Sequence, residues 1–288
     1  MKFFPYEKTP GVWQEVVDIT PSGTTGWQTI GLGSYVPSST TCVVIRVVVT
    51  GEVAKQIGAK KPGNANNLST SLYSSTGFNG NQTTAYCGID SSQQVSLYSA
   101  NIEVKYYLTG YFDSGEATII HPTYITKSTT AGSWITLDLS SDITDTATFA
   151  IFESHATELL GLNFRANGST DNRQPTEGSG KMWFLAPLDG NKKTQYWIDV
   201  GLDIYLIGYI KYGTIRTNAV ELVSVTNNGT YQTPTEITSD MPSGATAAVI
   251  EVSGISLYSH AMRKMAHAGS YDDIYYDFYY QNGFHAIG

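Results

Sequence analysis

Short runs of alternating apolar and polar residues recur along the chain, with turn-forming residues between them. In VKYYLTGY (Val104 to Tyr111) the two kinds of side chain alternate with a period of two, which is typical of a half-buried β-strand. CVVIRVVV (Cys42 to Val49) is an apolar run of strand length, broken only by Arg46. No segment sustains a 3.6-residue apolar period between helix-capping residues. The pattern therefore predicts an all-β protein with little helix.

The same strand pattern returns later in the chain. VKYYLTGYF (104–112) matches LDIYLIGYI (202–210), which places Gly110 with Gly208. Another strand recurs as GWQTI, SWITL and TYQTP, which begin at Gly26, Ser133 and Thr230. Such self-similarity at a fixed period indicates repeated structural units.

A third match links all three parts of the chain. The matching segments are TCVVIRVV, TFAIFESH and TAAVIEVS, which begin at Thr41, Thr148 and Thr246. Arg46, Glu153 and Glu251 then occupy one equivalent position.

The repeats predict tandem β-sandwich or jelly-roll-like domains, three units in all. The expected boundaries are an N-terminal arm at 1–11 and units at 12–113, 114–215 and 216–288. The third unit is incomplete, because its alignment places Gly288 beside Gly88 and leaves the last hairpin and strand without a counterpart. Either the polypeptide continues beyond Gly288, or a neighbouring subunit supplies the strand by β-augmentation.

Composition and charge narrow the class of protein. The net charge is −8 and only 15% of the residues are charged, so the chain has no basic patch for nucleic acid. No apolar run approaches the ~18 residues of a membrane helix. The start, MKFFPYEKTP, has too short an apolar region for a signal peptide, so we expect assembly in the cytoplasm. We expect Cys42 and Cys87 to be buried thiols, and a disulfide between them is the alternative.

The sequence lacks the motifs of common catalytic and metal sites. None of the five histidines belongs to an HExxH or HxH arrangement, and no phosphate-binding loop is present. Ser154 and His155 are neighbours in a strand, so their side chains point to opposite faces and form no dyad. Asp272, Asp273 and Asp277 lack the glycine-spaced loop of calcium cages. We expect no enzyme activity, no catalytic residues, no cofactor and no metal.

One charged cluster, LNFRANGSTDNR (162–173), has the look of a phosphate, metal or sugar site when read alone. It has counterparts at 57–67 and 260–273. In the 57–67 copy, Asn66 or Asn67 takes the place of the acidic Asp171. A glycine recurs in all three copies at the point where the chain leaves a strand, as a turn with positive φ requires. The cluster therefore predicts a structural turn, formed by Gly63, Gly168, Gly269, Arg165, Asp171 and Arg173.

Aromatic residues are dense near the end of the chain. In YYDFYY both faces of a strand are aromatic, which favours contact with another domain or subunit. The expected interface residues are Tyr275, Tyr276, Phe278, Tyr279 and Tyr280.

The segment GLNFRANGSTDNR, followed by an aromatic-rich strand and by LDIYLIGY, resembles a repeated β-domain of structural proteins from tailed phages and related viruses. Those copies carry a G-x-R-x-x-G-S-T-D-x-R pattern, whose R-x-x-G-S-T-D-x-R part matches 165–173. The first unit departs from this pattern, since it has Lys60 and Lys61 and no aspartate in the loop.

The resemblance implies a non-enzymatic virion protein in a tail, fibre, neck or capsid-surface position, with host attachment as a further role. Its partners would be copies of itself, other virion proteins and host surface glycans, with no nucleic acid and no membrane insertion. Two alternatives stand beside it: an extracellular carbohydrate-binding or adhesin-like β-sandwich protein, and a hydrolase with a β-sandwich appendage.

Overall fold

The computed structural model confirms the all-β prediction. It describes residues 2–3, 6–9, 12–14, 16–23, 26–49, 55–65, 70–72, 81–99, 102–125, 132–172, 176–198, 203–213, 248–252, 258–260, 276–278 and 283–287. Within these ranges every regular element is a β-strand, and every strand pair is antiparallel. The antiparallel sheets form a sandwich-like arrangement, as the alternating pattern predicted.

The first set of strands forms two large sheets and one separate strand pair. The strands are β1 (Lys2–Phe3), β2 (Tyr6–Thr9), β3 (Val12–Gln14), β4 (Val17–Asp18), β5 (Trp27–Gly31), β6 (Thr40–Val49), β7 (Lys55–Lys60), β8 (Thr70–Leu72), β9 (Asn81–Gly88), β10 (Gln94–Ser99) and β11 (Val104–Asp113). One sheet has the order β1-β11-β6-β9, with β4 also on β11, and the other has the order β5-β10-β7-β8. β2 pairs with β3.

The second set follows after a short turn. Its strands are β12 (Ala117–Tyr124), β13 (Ile135–Asp138), β14 (Phe149–Ala166), β15 (Thr176–Pro187), β16 (Lys193–Ile198) and β17 (Asp203–Ile210). They pair in the order β12-β17-β14-β16-β13, with β15 on β14. Four more strands are described: β18 (Ala248–Val252), β19 (Tyr258–His260), β20 (Tyr276–Phe278) and β21 (Gly283–Ile287).

The first two sets of strands pair in the same way. Tyr107 of β11 lies opposite Arg46, and Tyr205 of β17 lies opposite Glu153, as the sequence repeat aligns them. The long strand β14 is the counterpart of both β6 and β7 of the first unit. Its first half corresponds to β6 and pairs with β15 and β17, and its second half corresponds to β7 and pairs with β16. The ladder between β14 and β15 is irregular between Ala156 and Leu160, which is where the two halves meet.

The end of the chain contains a strand pair in the same register. Ala248 of β18 lies opposite Ile287 of β21, just as Val43 of β6 lies opposite Cys87 of β9. The extent of the third unit and the boundaries at residues 11, 113 and 215 stay predictions. At residue 113 the chain makes a tight turn, in which Gly115 has φ of 91°.

Both faces of the central strands are buried, which explains their continuous apolar sequence. Along β14, Ala150 and Phe152 pack into the core of the second unit. Ile151, between them, points to the other face and joins the core of the first unit. The side chains of β15 alternate in the same way: Phe184 packs into the core of the second unit, and Leu185 packs toward the first unit.

The two units are therefore held together by a shared apolar layer. On the first unit this layer uses the outward face of β6 and β9, where a methyl group added to Gly88 would lie 2.9 Å from Ile119 Cγ2. On the second unit it uses Ile151, Trp183 and Leu185, and these lie on the strands β14 and β15 that correspond to β6 and β9. The two units thus pack through equivalent faces.

The register between β6 and β9 determines whether Cys42 and Cys87 can form a disulfide. Cys42 lies opposite Gly88, whereas Cys87 lies opposite Val43, so the two thiols point to opposite faces of the sheet. Both are free and buried, as the prediction of buried thiols requires. Burial raises the pKa of Cys42 to about 12, so this thiol stays protonated at neutral pH.

Candidate functional site

The two described copies of the charged cluster are built on the same turn. Gly63 follows β7 with φ of 78°, and Gly168 follows β14 with φ of 80°. Just after each glycine, a backbone N–H donates to a carbonyl three residues earlier: Asn64 to Lys61 at 3.1 Å and Ser169 to Ala166 at 3.0 Å. Only glycine adopts this left-handed conformation without steric cost, so the recurrent glycine has a backbone role.

A cation stacks on a tryptophan beside each turn. Lys60 Nζ lies 4.5 Å from the ring centroid of Trp27, and Arg165 Cζ lies 4.2 Å from that of Trp134. The same cations also donate to loop carbonyls: Lys60 Nζ to Asn64 at 2.8 Å, and Arg165 Nη1 to Asp171. We call each set of cation, tryptophan and glycine turn a clasp. In both clasps the positive charge ties the loop to a tryptophan at the start of an equivalent strand, Trp27 in β5 and Trp134 just before β13.

The second clasp has further hydrogen bonds. Arg165 Nε donates to Gln195 Oε1 at 2.8 Å, and Trp134 Nε1 donates to Asn172 Oδ1 at 3.3 Å. The backbone N–H of Asp171 donates to Ser169 Oγ at 3.1 Å. Burial lowers the pKa of Arg165, while the negative charge of Asp171 acts in the opposite direction. These hydrogen bonds join the loop to side chains of its own unit, so they hold the turn in a fixed conformation.

Several residues expected at a site lie outside the described residues: Arg173, Gly269, Tyr275, Tyr279 and Tyr280. Tyr276 and Phe278 belong to β20 and lie opposite His260 and Tyr258. Their role as interface residues stays a prediction.

Trp27 and Trp134 were missed as partners of the cluster by sequence reasoning. The signal was present, because GWQTI and SWITL had already been matched as one strand of the repeat. That match places a tryptophan at equivalent positions in two units, each of which also has a cation just before its glycine turn. Their contact depends on strand pairing at long range, which β10 and β16 provide by lying between the two elements.

A cavity of about 340 Å³ opens between the two units beside the first clasp. We call it the inter-unit cavity. Its first-unit wall comes from Trp27, Ala59, Lys60, Lys61, Pro62, Gly63, Asn64, Tyr86, Cys87 and Gly88. Its second-unit wall comes from Ile119, Ile120, Pro122, Glu153 and Ile207.

Glu153 is the buried acidic group of this cavity. Its side chain is 6% exposed, and its Oε1 lies 2.9 Å from His155 Nε2. Ser154, between them, is fully buried on the other face, and its Oγ has no hydrogen-bond partner among the described residues. The arrangement therefore provides no Ser-His dyad. Burial raises the pKa of the neighbouring Tyr205, and the charges of Asp203 and Glu153 add to this effect.

The described part of the chain has neither a cluster of metal-binding side chains nor a membrane-spanning helix. No three side chains of the His, Cys, Asp or Glu type come together there in a way that would hold a metal ion. No helix there is long and apolar enough to cross a membrane.

No family model and no curated protein matches the chain. Among solved structures, the chain is similar to the N-terminal CBM22-1-CBM22-2 tandem domain of Xyn10C from Paenibacillus barcinonensis, with 10% identity and a TM-score of 0.18. That match covers 69% of this chain and 91% of the other. At this TM-score the likeness carries no argument about the site or its function.

Proposed function

We propose that the protein is a non-enzymatic structural component of a tailed-phage virion, in a tail, fibre, neck or capsid-surface position. The observation that carries the proposal is the packing of two repeated β-sandwich units through equivalent faces with one shared apolar layer. A shared core makes the two units one rigid body, because separating them would expose apolar surface to water. Rigid spacing of repeated units is what a particle component needs.

The charged clusters support the same proposal. In both described copies the cation is used to brace a loop against its own unit, and a turn fixed in this way presents a defined surface to a neighbour. The sequence resemblance of 165–173 to a repeated domain of tailed-phage structural proteins supports a virion as the particle. Assembly with copies of itself and with other virion proteins follows from this role.

The test is association with particles. Purified virions should contain the chain in stoichiometric amount by mass spectrometry, and gold-labelled antibodies should mark one position on them. The purified chain should assemble and have a native mass far above the 31.3 kDa of one chain. A strictly monomeric chain that is absent from washed particles would exclude the structural role.

A further inference from the structure

The strand β13 lies at an open edge of the second unit's sheet. It pairs with β16 on one side, and no other strand of the described residues pairs with its second side. The backbone N–H of Leu139 donates to the Lys192 carbonyl at 3.1 Å. Because backbone groups alternate in direction along an antiparallel strand, those of Thr136 and Asp138 point away from β16. Their N–H and C=O groups can therefore bond to a further strand.

The opposite edge of the same sheet is protected. It is formed by β12, which contains Pro122 and whose pairing with β17 is irregular between Ile119 and Thr123. Proline lacks an N–H, and an irregular strand does not present a straight row of backbone groups. Natural sheets use both features to prevent pairing at an edge. In contrast, β13 contains no proline and pairs with β16 in one continuous register.

The apolar side chains of β13 favour a second copy of β13 as the partner strand. Ile135 and Leu137 pack against the core of the second unit but are only partly buried. In an antiparallel pair with Thr136 opposite Thr136 of the second copy, Ile135 lies opposite Leu137 of that copy, and the reverse also holds. Such a pair extends the apolar layer across the contact and buries more of both side chains.

Charges on the outer face are complementary in the same register. Trp134, just before β13, then lies opposite Asp138 of the second copy. Arg165 Cζ lies 4.2 Å from the ring centroid of Trp134, and Arg165 uses Nε and Nη1 within its own unit, which leaves Nη2 for the second copy. The Asp138 side chain is 50% exposed, and its own contact with Lys193 at 3.4 Å is also exposed. A twofold axis brings Asp138 and Arg165 of different copies together twice, and opposite charges across paired strands are stabilising.

The equivalent edge of the first unit is less suited to such a pair. Thr29 of β5 is the counterpart of Thr136, and by the same alternation its N–H points outward. The neighbouring positions in β5 are Gln28 and Ile30. Gln28 makes two hydrogen bonds with the backbone of Gly23, at 3.1 and 2.8 Å. Self-pairing of β5 would therefore place an amide held by its own loop opposite Ile30, where β13 places two apolar side chains.

We propose that two copies of the chain pair through β13 about a twofold axis, so that their sheets join into one. Twofold contacts of this kind are the commonest in symmetric assemblies. The proposal rests on the proposed function for the assembly of copies with each other, and it names the surface that one contact uses.

The experiment is sedimentation velocity on the full chain and its variants, with near-ultraviolet circular dichroism to verify folding. Thr136→Pro removes an outward N–H without removing a bond to β16, and Thr136→Glu places two carboxylates opposite each other. Each variant should halve the native mass of the assembled chain. Thr136→Ala loses the same hydroxyl but keeps the N–H, so it should keep the native mass. Thr29→Pro makes the matched change at the edge of β5 and should also keep it.

Hydrogen exchange of the unmodified chain is a second measurement that needs no variant. In the assembled chain the amide hydrogen of Thr136 should be protected, whereas that of Thr29 should exchange freely. The proposal is overturned if both changes at Thr136 to proline and glutamate keep the native mass, if Thr29→Pro halves it, or if the two amides exchange at the same rate. Particle association is measured separately on virions. A chain that is present in washed particles, and whose Thr136→Pro variant keeps its native mass, would refute this contact and leave the structural role in place.

Discussion

At the scale of single residues, the equivalent glycines and cations of the two units make the same contacts although their neighbours differ. Gly63 and Gly168 adopt nearly the same φ, and a cation stacks on a tryptophan in both units. The cation itself differs, being lysine in the first clasp and arginine in the second. The backbone conformation is thus the fixed requirement, and the side chains around it are fitted to each loop.

We expect Gly168→Ala to lower the free energy of unfolding by about 1–2 kcal/mol, because an alanine in the left-handed conformation brings Cβ close to a carbonyl oxygen. Gly190→Ala is the matched control. Both positions have open space around an added Cβ, but Gly190 has no positive φ, so its change should be close to neutral. Urea denaturation of both variants measures the difference. Equal effects would show that the positive φ is not the reason for the glycine.

The two cations should respond differently to exchange. Arg165→Lys loses either the bond to Gln195 or the bond to the Asp171 carbonyl, because one ammonium group cannot reproduce the spread of Nε and Nη1. We expect a loss of about 1–2 kcal/mol in the free energy of unfolding. Lys60→Arg keeps a donor for Asn64 and a cation over Trp27, so it should change stability by less than about 0.5 kcal/mol. Denaturation followed by tryptophan fluorescence tests both, and a reversed order would refute this account of the clasps.

At the scale of elements, the same hairpin turn joins corresponding strands in both units. Asp90 Oδ1 accepts from the backbone N–H of Ser92 and Gln94, and Asp189 Oδ1 accepts from those of Asn191 and Lys193. The residue before the second strand has a positive φ in each turn: 56° at Gln93 and 61° at Lys192. The aspartate thus holds a non-glycine residue in a conformation that costs free energy.

The sequence allowed the strands and their repeat to be predicted, because a period of two and a fixed offset are local properties. The hairpin at Asp189 was also predictable, since its turn chemistry lies within a few residues. The joining of two strands into β14 was not predictable, because nothing local in 156–160 distinguishes a continuous strand from a loop. The partners of Arg165 were equally hidden, since Trp134 and Gln195 are distant in sequence and meet only through strand register.

The Asp189 turn should contribute to stability against acid. Burial opposes ionisation of Asp189, but hydrogen bonds from the Lys193 N–H, the Asn167 amide and the Asn191 N–H outweigh it, so the pKa of Asp189 is lowered. Its stabilising effect is therefore present above the unfolded-state pKa of about 4 and is lost as pH falls through the lower folded-state value.

Asp189→Asn should flatten the acid decline of the free energy of unfolding below about pH 4 and should cost about 1 kcal/mol at pH 7. Asn191→Ala keeps the carboxylate and the backbone donors of the same turn, so it should keep the acid decline. Chemical denaturation at a series of pH values tests both variants. An unchanged decline in Asp189→Asn would assign the acid sensitivity to other carboxylates.

At the scale of the whole molecule, the first two units use equivalent faces to pack on each other. The apolar residues of β6 and β14 are buried on both sides of their sheets, but a sequence cannot say what covers the second side. The structure answers this, since Ile151, Trp183 and Leu185 of the second unit belong to the core of the first. Arg46 and Glu153, at equivalent positions of the two strands, are both buried. The repeat therefore sets the contact between units as well as the fold within each.

This packing leads us to expect that the two units unfold together. Amide hydrogens in β6 and β14 should exchange with the same free energy of opening in the unmodified chain, because opening either unit exposes their shared layer. Leu185→Glu places a carboxylate in that layer, where Leu185 is 1% exposed. The amide hydrogens of β6 and β14 should then exchange with different free energies of opening. Thr136→Glu is the control, because it introduces the same group at an exposed position of the second unit and should leave β6 and β14 coupled. If β6 and β14 already exchange with different free energies in the unmodified chain, the shared layer does not couple the units and the rigid body on which the structural role rests is lost.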